Sequence, residues 1–346
     1  MTTATGPTTT PTTDGTTTGD DVALDTTYVD RSYRGGWRII ARKEFADHVC
    51  SIRFLILLVL VSLAGLAAVH SASGPIRDAA DSATQTPSVF LLLFTLSPER
   101  VPAFHEFLGI LGPLLGIAFG FDAINGERAQ GTLPRLVAQP IHRDEVINGK
   151  FAAGISAIAL ALGCVIAIVS GYGAIRLGIG PTSGDVIRIL AFYVVAIVYI
   201  SLWLALALVL SVASRRAATA ALAAIAIWLV LTLFAGLIAG VVADSLRSVP
   251  SDATTENVLD NARLELAVRR LSPDQLYKEA TGVLLNPARQ STGILVLDEA
   301  DLALPTTLPL DQSLSLAWWQ LVTLVAGTVV LFAAAYVTFM RQEVRA

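Results

Sequence analysis

The sequence predicts an all-α polytopic membrane protein with six transmembrane helices, an N-terminal interfacial helix and a small helical extracytoplasmic loop domain. Three observations lead there. Hydrophobic residues make up 54% of 346 and charged residues only 15%, against about 25% charge in an average soluble domain, and mean hydropathy is +0.64. The charges fall in short clusters between long uncharged runs. Six of those runs approach or exceed the roughly 20 residues that carry a helix across ~30 Å of hydrocarbon: Phe54–Val69, Phe107–Phe121, Phe151–Ile175, Ile189–Ala213, Ala217–Ala243 and Ala317–Met340.

Taken in order, residues 1–30 form a Thr-rich tail, with 11 Thr in the first 20 positions and no Lys or Arg. So little apolar surface cannot offset the entropy of ordering, and disorder is expected. A cleaved signal peptide would place basic residues before its apolar core. Here Arg31, Arg34, Arg38, Arg42 and Lys43 follow the tail and flank the first span, as in a retained signal anchor. Residues 31–53 interleave Trp37, Ile39, Ile40, Phe45 and Val49 with Arg38, Arg42, Lys43, Glu44 and Asp47. That pattern suits an amphipathic helix in the interface; the plainer alternative is a basic flank that only sets topology. Spans one to five occupy 54–243, interrupted by a charged loop at 122–150. A short apolar run, Val89–Leu96, lies between Pro87 and Pro102 and suits an interfacial or re-entrant piece.

Orientation follows from charge. Six spans put both termini on one side, and that side carries Arg31 to Arg53, the basic residues of loop 122–150, Arg215, Arg216, Arg341 and Arg345, 14 of the 24 basic residues. The positive-inside rule makes this side cytoplasmic. The opposite loop, 244–316, holds six basic and eleven acidic residues. Its helical spacing covers Thr255–Val268 and Pro273–Leu285, with Ser272-Pro273 as a helix start and Asn286-Pro287 as a stop. A small external cap is expected, too small for an independent enzyme domain. Residues 317–346 supply the last span, entered through Trp318 and Trp319 of an aromatic belt, and a cytoplasmic C-terminus.

Little here suggests covalent chemistry. Gly149-Lys150 is followed by Phe151 without a preceding Gly-rich loop, so no phosphate loop for ATP is present. His105-Glu106 lacks a second His at i+4, where Gly109 stands, which disfavours a zinc hydrolase. Cys50 and Cys164 are too few and too separated for a metal or disulfide framework, and no metal or cofactor is expected on this chain. A net charge of −4 does not point to nucleic acid. The cores of spans three to six lack the ionisable residues that a proton- or ion-coupled transporter needs, so the driving energy is expected on another chain.

Small residues recur at i+4 in two spans: Gly112, Gly116 and Gly120 in span two, Gly236 and Gly240 in span five. In lipid they let helices approach closely. They serve either packing within the chain or a dimer seam or translocation pathway.

Loop 122–150 mixes charge with Leu133, Leu136 and Val137 and is broken by Gly126, Gly131, Pro134 and Pro140, which suits a folded loop presenting a short amphipathic helix to a partner. Asp122, Glu127, Arg128, Gly131, Thr132, Leu133, Pro140, Arg143, Gly149 and Lys150 carry a resemblance. The loop resembles that of type-2 ABC exporter permeases, in the branch related to multicopper-enzyme-maturation permeases. The likeness extends to the basic helix before span one and to Leu271-Ser272-Pro273, Leu276-Tyr277 and Leu285-Asn286-Pro287 in the outer loop. His142 departs from it, where such permeases often place a small hydroxyl able to form a capping box with Glu145.

The resemblance implies that the loop is a coupling helix seated on an ABC ATPase subunit, which holds the ATP and Mg²⁺, and that two permease copies, identical or paralogous, assemble with two ATPases. The residues expected to couple are Glu127, Arg128, Gly131, Thr132, Leu133, Leu136 and Arg143. Glu127 and Arg128 either pair across that interface or pair within the chain. The reading is an ATP-driven exporter subunit of the plasma membrane. Its rivals are an ATPase-coupled mechanochemical or scaffold component acting on an extracytoplasmic partner, and a secondary transporter.

Overall fold

A computed structural model describes residues 36–82, 88–98, 101–131, 142–248, 254–289 and 308–342, besides 2–3 and 292. The chain divides into two units, Met1–Gly35 and Gly36–Ala346; apart from residues 2–3 the Thr-rich tail lies outside the described residues, and the second unit holds every helix that follows. Among the described residues all regular structure is helical. In order these are α1 (Gly36–Val49), α2 (Ile52–Ser82), a 3₁₀ turn at Val89–Leu91 leading into α3 (Leu92–Thr95), α4 (Phe104–Gly120) and α5 (Asn125–Ala129). There follow α6 (Arg143–Leu177), α7 (Ser183–Ala213), α8 (Ala217–Leu229), α9 (Ala235–Leu246), α10 (Thr255–Arg269), α11 (Pro273–Leu285) and α12 (Leu310–Arg341). Six stretches are long and apolar enough to span a membrane: α2, α4 continued through α5, α6, α7, α8 with α9, and α12.

These are the six expected spans, and most of the helices overrun their apolar runs. Hydropathy marks only what sits in hydrocarbon, whereas helical hydrogen bonding continues as long as capping allows. α6 ends on Gly178, whose φ of 71° is a left-handed conformation that glycine adopts without strain. Four residues later α7 opens with a capping box: Thr182 Oγ1 accepts from the Asp185 N–H at 3.2 Å, and Asp185 Oδ2 accepts from the Thr182 N–H at 3.0 Å.

α7 is the axis of the bundle. It packs against α4, α6, α8, α11 and α12, and its Phe192, Tyr199 and Trp203 are fully buried. The Gly112, Gly116 and Gly120 face of α4 lies directly on it. A Cβ on Gly116 would stand 2.5 Å from the Ile200 carbonyl oxygen, and one on Gly120 2.8 Å from that of Leu204. The span-two stripe is thus packing within the chain. In span five the situation differs: a Cβ on Gly236 meets only the Arg269 side chain, at 3.3 Å, and one on Gly240 meets nothing within 4 Å.

Two irregularities in the spans are contacted by side chains from other segments. Pro113 lies inside α4 and has no N–H to offer the Gly109 carbonyl one turn back; Tyr199 Oη donates to that carbonyl at 2.7 Å. Between α8 and α9 the helix widens into a π-turn at Val230–Phe234, and Ser272 Oγ donates to the carbonyl of Leu231 within it. Both hydrogen bonds bring segments distant in sequence into contact.

The loop helices pack differently from one another. α10 lies along α9, held by Asn261 Nδ2 to Asp244 Oδ1 at 3.1 Å and by the Arg247–Asp260 ion pair. α11 is inserted among α4, α7 and α12 and is buried along most of its length, so it is a wedge in the bundle more than a lid over it. Its Tyr277 stacks on Tyr199 with centroids 4.4 Å apart and donates to the His105 carbonyl at 3.1 Å. At its far end Arg188 Nη1 donates to the Leu284 carbonyl at 3.0 Å and to Ser313 Oγ at 3.1 Å, joining α7, α11 and α12. The Val89–Leu96 run is likewise core: Phe90, Leu91, Leu93 and Phe94 are buried, with Phe94 edge-on to Phe104 at 5.5 Å.

Gly116→Ala is expected to lower stability by about 1–3 kcal/mol, the usual cost of overpacking, while Gly240→Ala leaves it unchanged or slightly raised. Thermal melting of both variants in detergent checks the contrast.

Candidate functional site

The candidate site is the described part of loop 122–150, at the end of the bundle that carries α1. After α4 ends at Gly120, a turn containing Asp122 leads into α5. Ser211 of α7 holds this turn: its Oγ accepts from the N–H of Ile124 at 3.1 Å and of Asn125 at 3.3 Å. Beneath it Ile124 packs in a buried cluster with Ile40, Val146, Ile147, Val212 and Phe339, which draws α1, α6, α7 and α12 to the same point. Asp122 pairs with Arg53 at the start of α2, and the Arg53 guanidinium lies over the Phe121 ring at 5.1 Å.

The central charge is Lys150. Its side chain is 5% exposed, and Nζ lies 2.7 Å from Glu127 of α5 and 3.0 Å from Glu44 of α1. One buried cation thus binds two carboxylates from two other helices. The position is reached because Gly149 lets α1 come close: a Cβ there would stand 2.8 Å from both the Ile40 side chain and the Trp37 carbonyl oxygen. The helix read as interfacial is therefore also docked on α6, with Ile40 buried and Trp37 and Ile39 exposed.

A second knot forms around Gln342, just past the last span. Arg128 Nη1 donates to the Val212 carbonyl at 3.2 Å and Nη2 to Gln342 Oε1; Gln342 Nε2 donates to the same Val212 carbonyl at 2.9 Å. Arg143 Nη1, at the start of α6, donates to the Gln342 carbonyl at 3.0 Å. Glu145 Oε2 accepts from the His142 N–H at 3.3 Å, one half of the capping box.

Of the residues picked from sequence, Glu127, Arg128 and Arg143 converge here, and both Glu127 and Arg128 pair within the chain. Gly131, with φ 65°, closes the described part of the loop. Thr132, Leu133 and Leu136 lie outside the described residues. Sequence reasoning placed Lys150 in the family resemblance and Glu44 on the polar side of the interfacial helix without pairing them, and gave no role to Ser211 or Gln342. Lys150 was the detectable one, a lone cation at the edge of an apolar run with carboxylates in two neighbouring charged clusters. Gln342 and Ser211 carried no local signal.

Between α1, α4 and α5 an open cleft of about 370 Å³ is lined by Glu44, Asp47, His48, Asp122, Glu127 and Lys150 among others. His48 sits against the Phe119 ring at 4.9 Å. Burial holds its pKa below the ordinary 6.5, against the raising effect of Glu44 and in concert with Lys150. No group of His, Cys, Asp and Glu suited to a metal occurs among the described residues.

Six apolar spans, with a loop locked by charge into one end of them, define a multi-pass membrane protein. The chain belongs to the ABC-2 family of transporter proteins, whose profile matches residues 38–344. It is therefore an ABC transporter permease component. Among curated proteins it is similar to the "Probable ABC transporter permease protein NosY" of Stutzerimonas stutzeri, 29% identical over 145 residues, and to that of Pseudomonas aeruginosa, 30% identical over 145 residues. Each match covers 40% of this chain and 44% of the relative, so the chain spans less than half the length of the relatives it matches.

Lys150→Met strands two carboxylates and is expected to cost about 3–5 kcal/mol, with Glu44→Gln/Glu127→Gln/Lys150→Met together recovering most of it; denaturation of the detergent-solubilised protein measures both. For His48 the folded chain binds a proton less readily than the unfolded chain. Stability held above pH ~6.5 should therefore fall as the pH drops through the depressed value, and His48→Gln should flatten that slope in melts taken from pH 7.5 to 5.

Proposed function

We propose that this permease is driven through loop 122–150 by an ABC ATPase subunit that holds the ATP and Mg²⁺, and that the stroke switches a permease dimer between inward- and outward-facing states to export a substrate. The chain itself performs no covalent chemistry. The observation that carries the reading is the double anchoring of α5. Through Lys150 it is joined to α1 and α6, and through Arg128 and Gln342 to the ends of α7 and α12. A push on this loop is delivered to four helices at once. Because Glu127 and Arg128 are engaged inside the chain, contact with the ATPase falls to the loop beyond Gly131, where Leu133 and Leu136 supply apolar anchors. Asn125 is buried with neither side-chain amide atom partnered among the described residues. Such a group is one that a second conformation can satisfy.

In this reading α1, loop 122–150 and both termini are cytoplasmic, following the charge asymmetry, and α10 and α11 lie on the extracytoplasmic side. The second copy sits against the Gly240 face of α9, where a Cβ would meet nothing within 4 Å among the described residues. A mechanical output at the far side is the alternative, and one contact favours it: Ser272 joins the start of α11 to the π-turn of span five, so a change in that turn would move the external loop.

Leu133→Asp/Leu136→Asp is expected to weaken co-purification with the ATPase subunit roughly 100-fold, as for loss of interface hot spots, with the melting temperature unchanged. Full ATPase binding by that variant, or transport by this chain with no ATPase present, would overturn the reading. Substrate efflux from ATP-loaded vesicles holding both subunits separates export from mechanical action.

A further inference from the structure

Away from the coupling end, the bundle is open between α8 and α12. The cleft there holds about 390 Å³, within the ~300–1,000 Å³ of small-molecule sites. Its walls are apolar, with Leu202 and Trp203 of α7, Leu231 of the π-turn, Leu276 of α11, and Leu324 and Leu331 of α12. Among the lining residues Arg270 alone is charged.

The dimensions identify an occupant. Along α12 the wall runs from Thr323 to Leu331, about 12 Å at 1.5 Å per residue. One helical turn beyond lies Trp319, with the Arg270 guanidinium 5.6 Å from its ring centroid. From cation to floor is therefore about 18 Å, close to the roughly 15 Å of hydrocarbon in one leaflet plus a headgroup contact. Trp318 and Trp319 are both exposed, as residues at the level of the headgroups are.

We propose that this cleft is a phospholipid site, with one acyl chain of the leaflet at the α11 end against Leu324 and Leu331 and the phosphate on Arg270. The guanidinium is fixed for that task. Nε donates to both oxygens of Glu279 at 3.0 and 3.1 Å and Nη2 to the Thr292 carbonyl at 3.1 Å, leaving Nη1 without a partner among the described residues. Glu279 is in turn held by Gln275 at 2.9 Å and Gln320 at 3.0 Å. A phosphate oxygen gives the free Nη1 N–H groups a charge-assisted acceptor. A helix from a second copy filling the cleft would instead bury those N–H groups without an acceptor, at a cost.

The test uses the full-length chain purified from membranes with extensive detergent washing, and counts retained phospholipid per chain by mass spectrometry. About one is expected for the unaltered protein. Thr323→Trp, which fills the cleft, and Arg270→Gln/Glu279→Gln, which removes cation and counter-ion together, should each lower retention about tenfold. Val330→Trp fills the same space from an exposed wall position, so a folding failure of Thr323→Trp leaves the comparison intact. A phosphatidylglycerol carrying a photoactivatable acyl chain should label the Thr323–Leu331 segment. Equal retention in the filled and unfilled proteins would overturn the proposal. So would efficient disulfide crosslinking of Val330→Cys between two copies, which would mean that protein closes the cleft.

Discussion

A carbonyl that loses its helical donor inside hydrocarbon has no water to turn to, and this constraint organises much of the bundle. Pro113 orphans the carbonyl of Gly109, and Tyr199 meets it. At the π-turn the Leu231 carbonyl accepts from Ser272 Oγ. Where α7 ends, the Val212 carbonyl is met by both Arg128 and Gln342. Each donor comes from a segment remote in sequence, so satisfying a backbone group also fixes which helices are neighbours. Apolar packing alone would not fix it, since lipid is as apolar as the helix faces it competes with.

The end of the bundle that carries α1 adds charge to the same logic. A lysine buried between two glutamates is tolerable because each charge is compensated within hydrogen-bonding distance, and the desolvation cost then makes the arrangement intolerant of partial loss. α1 is docked through apolar contact at Gly149 and through Glu44, so the helix preceding the first span moves with the loop that follows the second. The charge in the described part of loop 122–150 is thereby largely spent on internal anchoring.

Bilayer thickness made the six spans legible, since no folded element other than a membrane helix needs so long an apolar run. Short-range signals were legible too: Ser272-Pro273 and Asn286-Pro287 each act within a few residues. The placement of α11 was not. Asp274, Lys278 and Glu279 read as a surface helix, and only Lys278 stays half-exposed, because Glu279 finds Arg270 and Gln320 while burial lifts the Asp274 carboxyl above the usual range. For the candidate site, Glu127 and Arg128 stood out through the family resemblance, but their partners Lys150 and Gln342 belong to other segments, and Gln342 lies 214 residues from Arg128. Pairing over such distances is decided by tertiary packing, which leaves no periodic trace.

The proline in α4 bears on how the protein is made. Span two is the shortest of the main helices and carries an unmet carbonyl at Gly109 until Tyr199, 90 residues later, has been synthesised and inserted. At about 5–20 residues per second that interval is at least several seconds. During it the second span must be held by the insertion machinery or by ordered water at its polar end. The arrival of span four then both completes the axis of the bundle and releases span two, so assembly has a built-in order that the finished fold no longer displays.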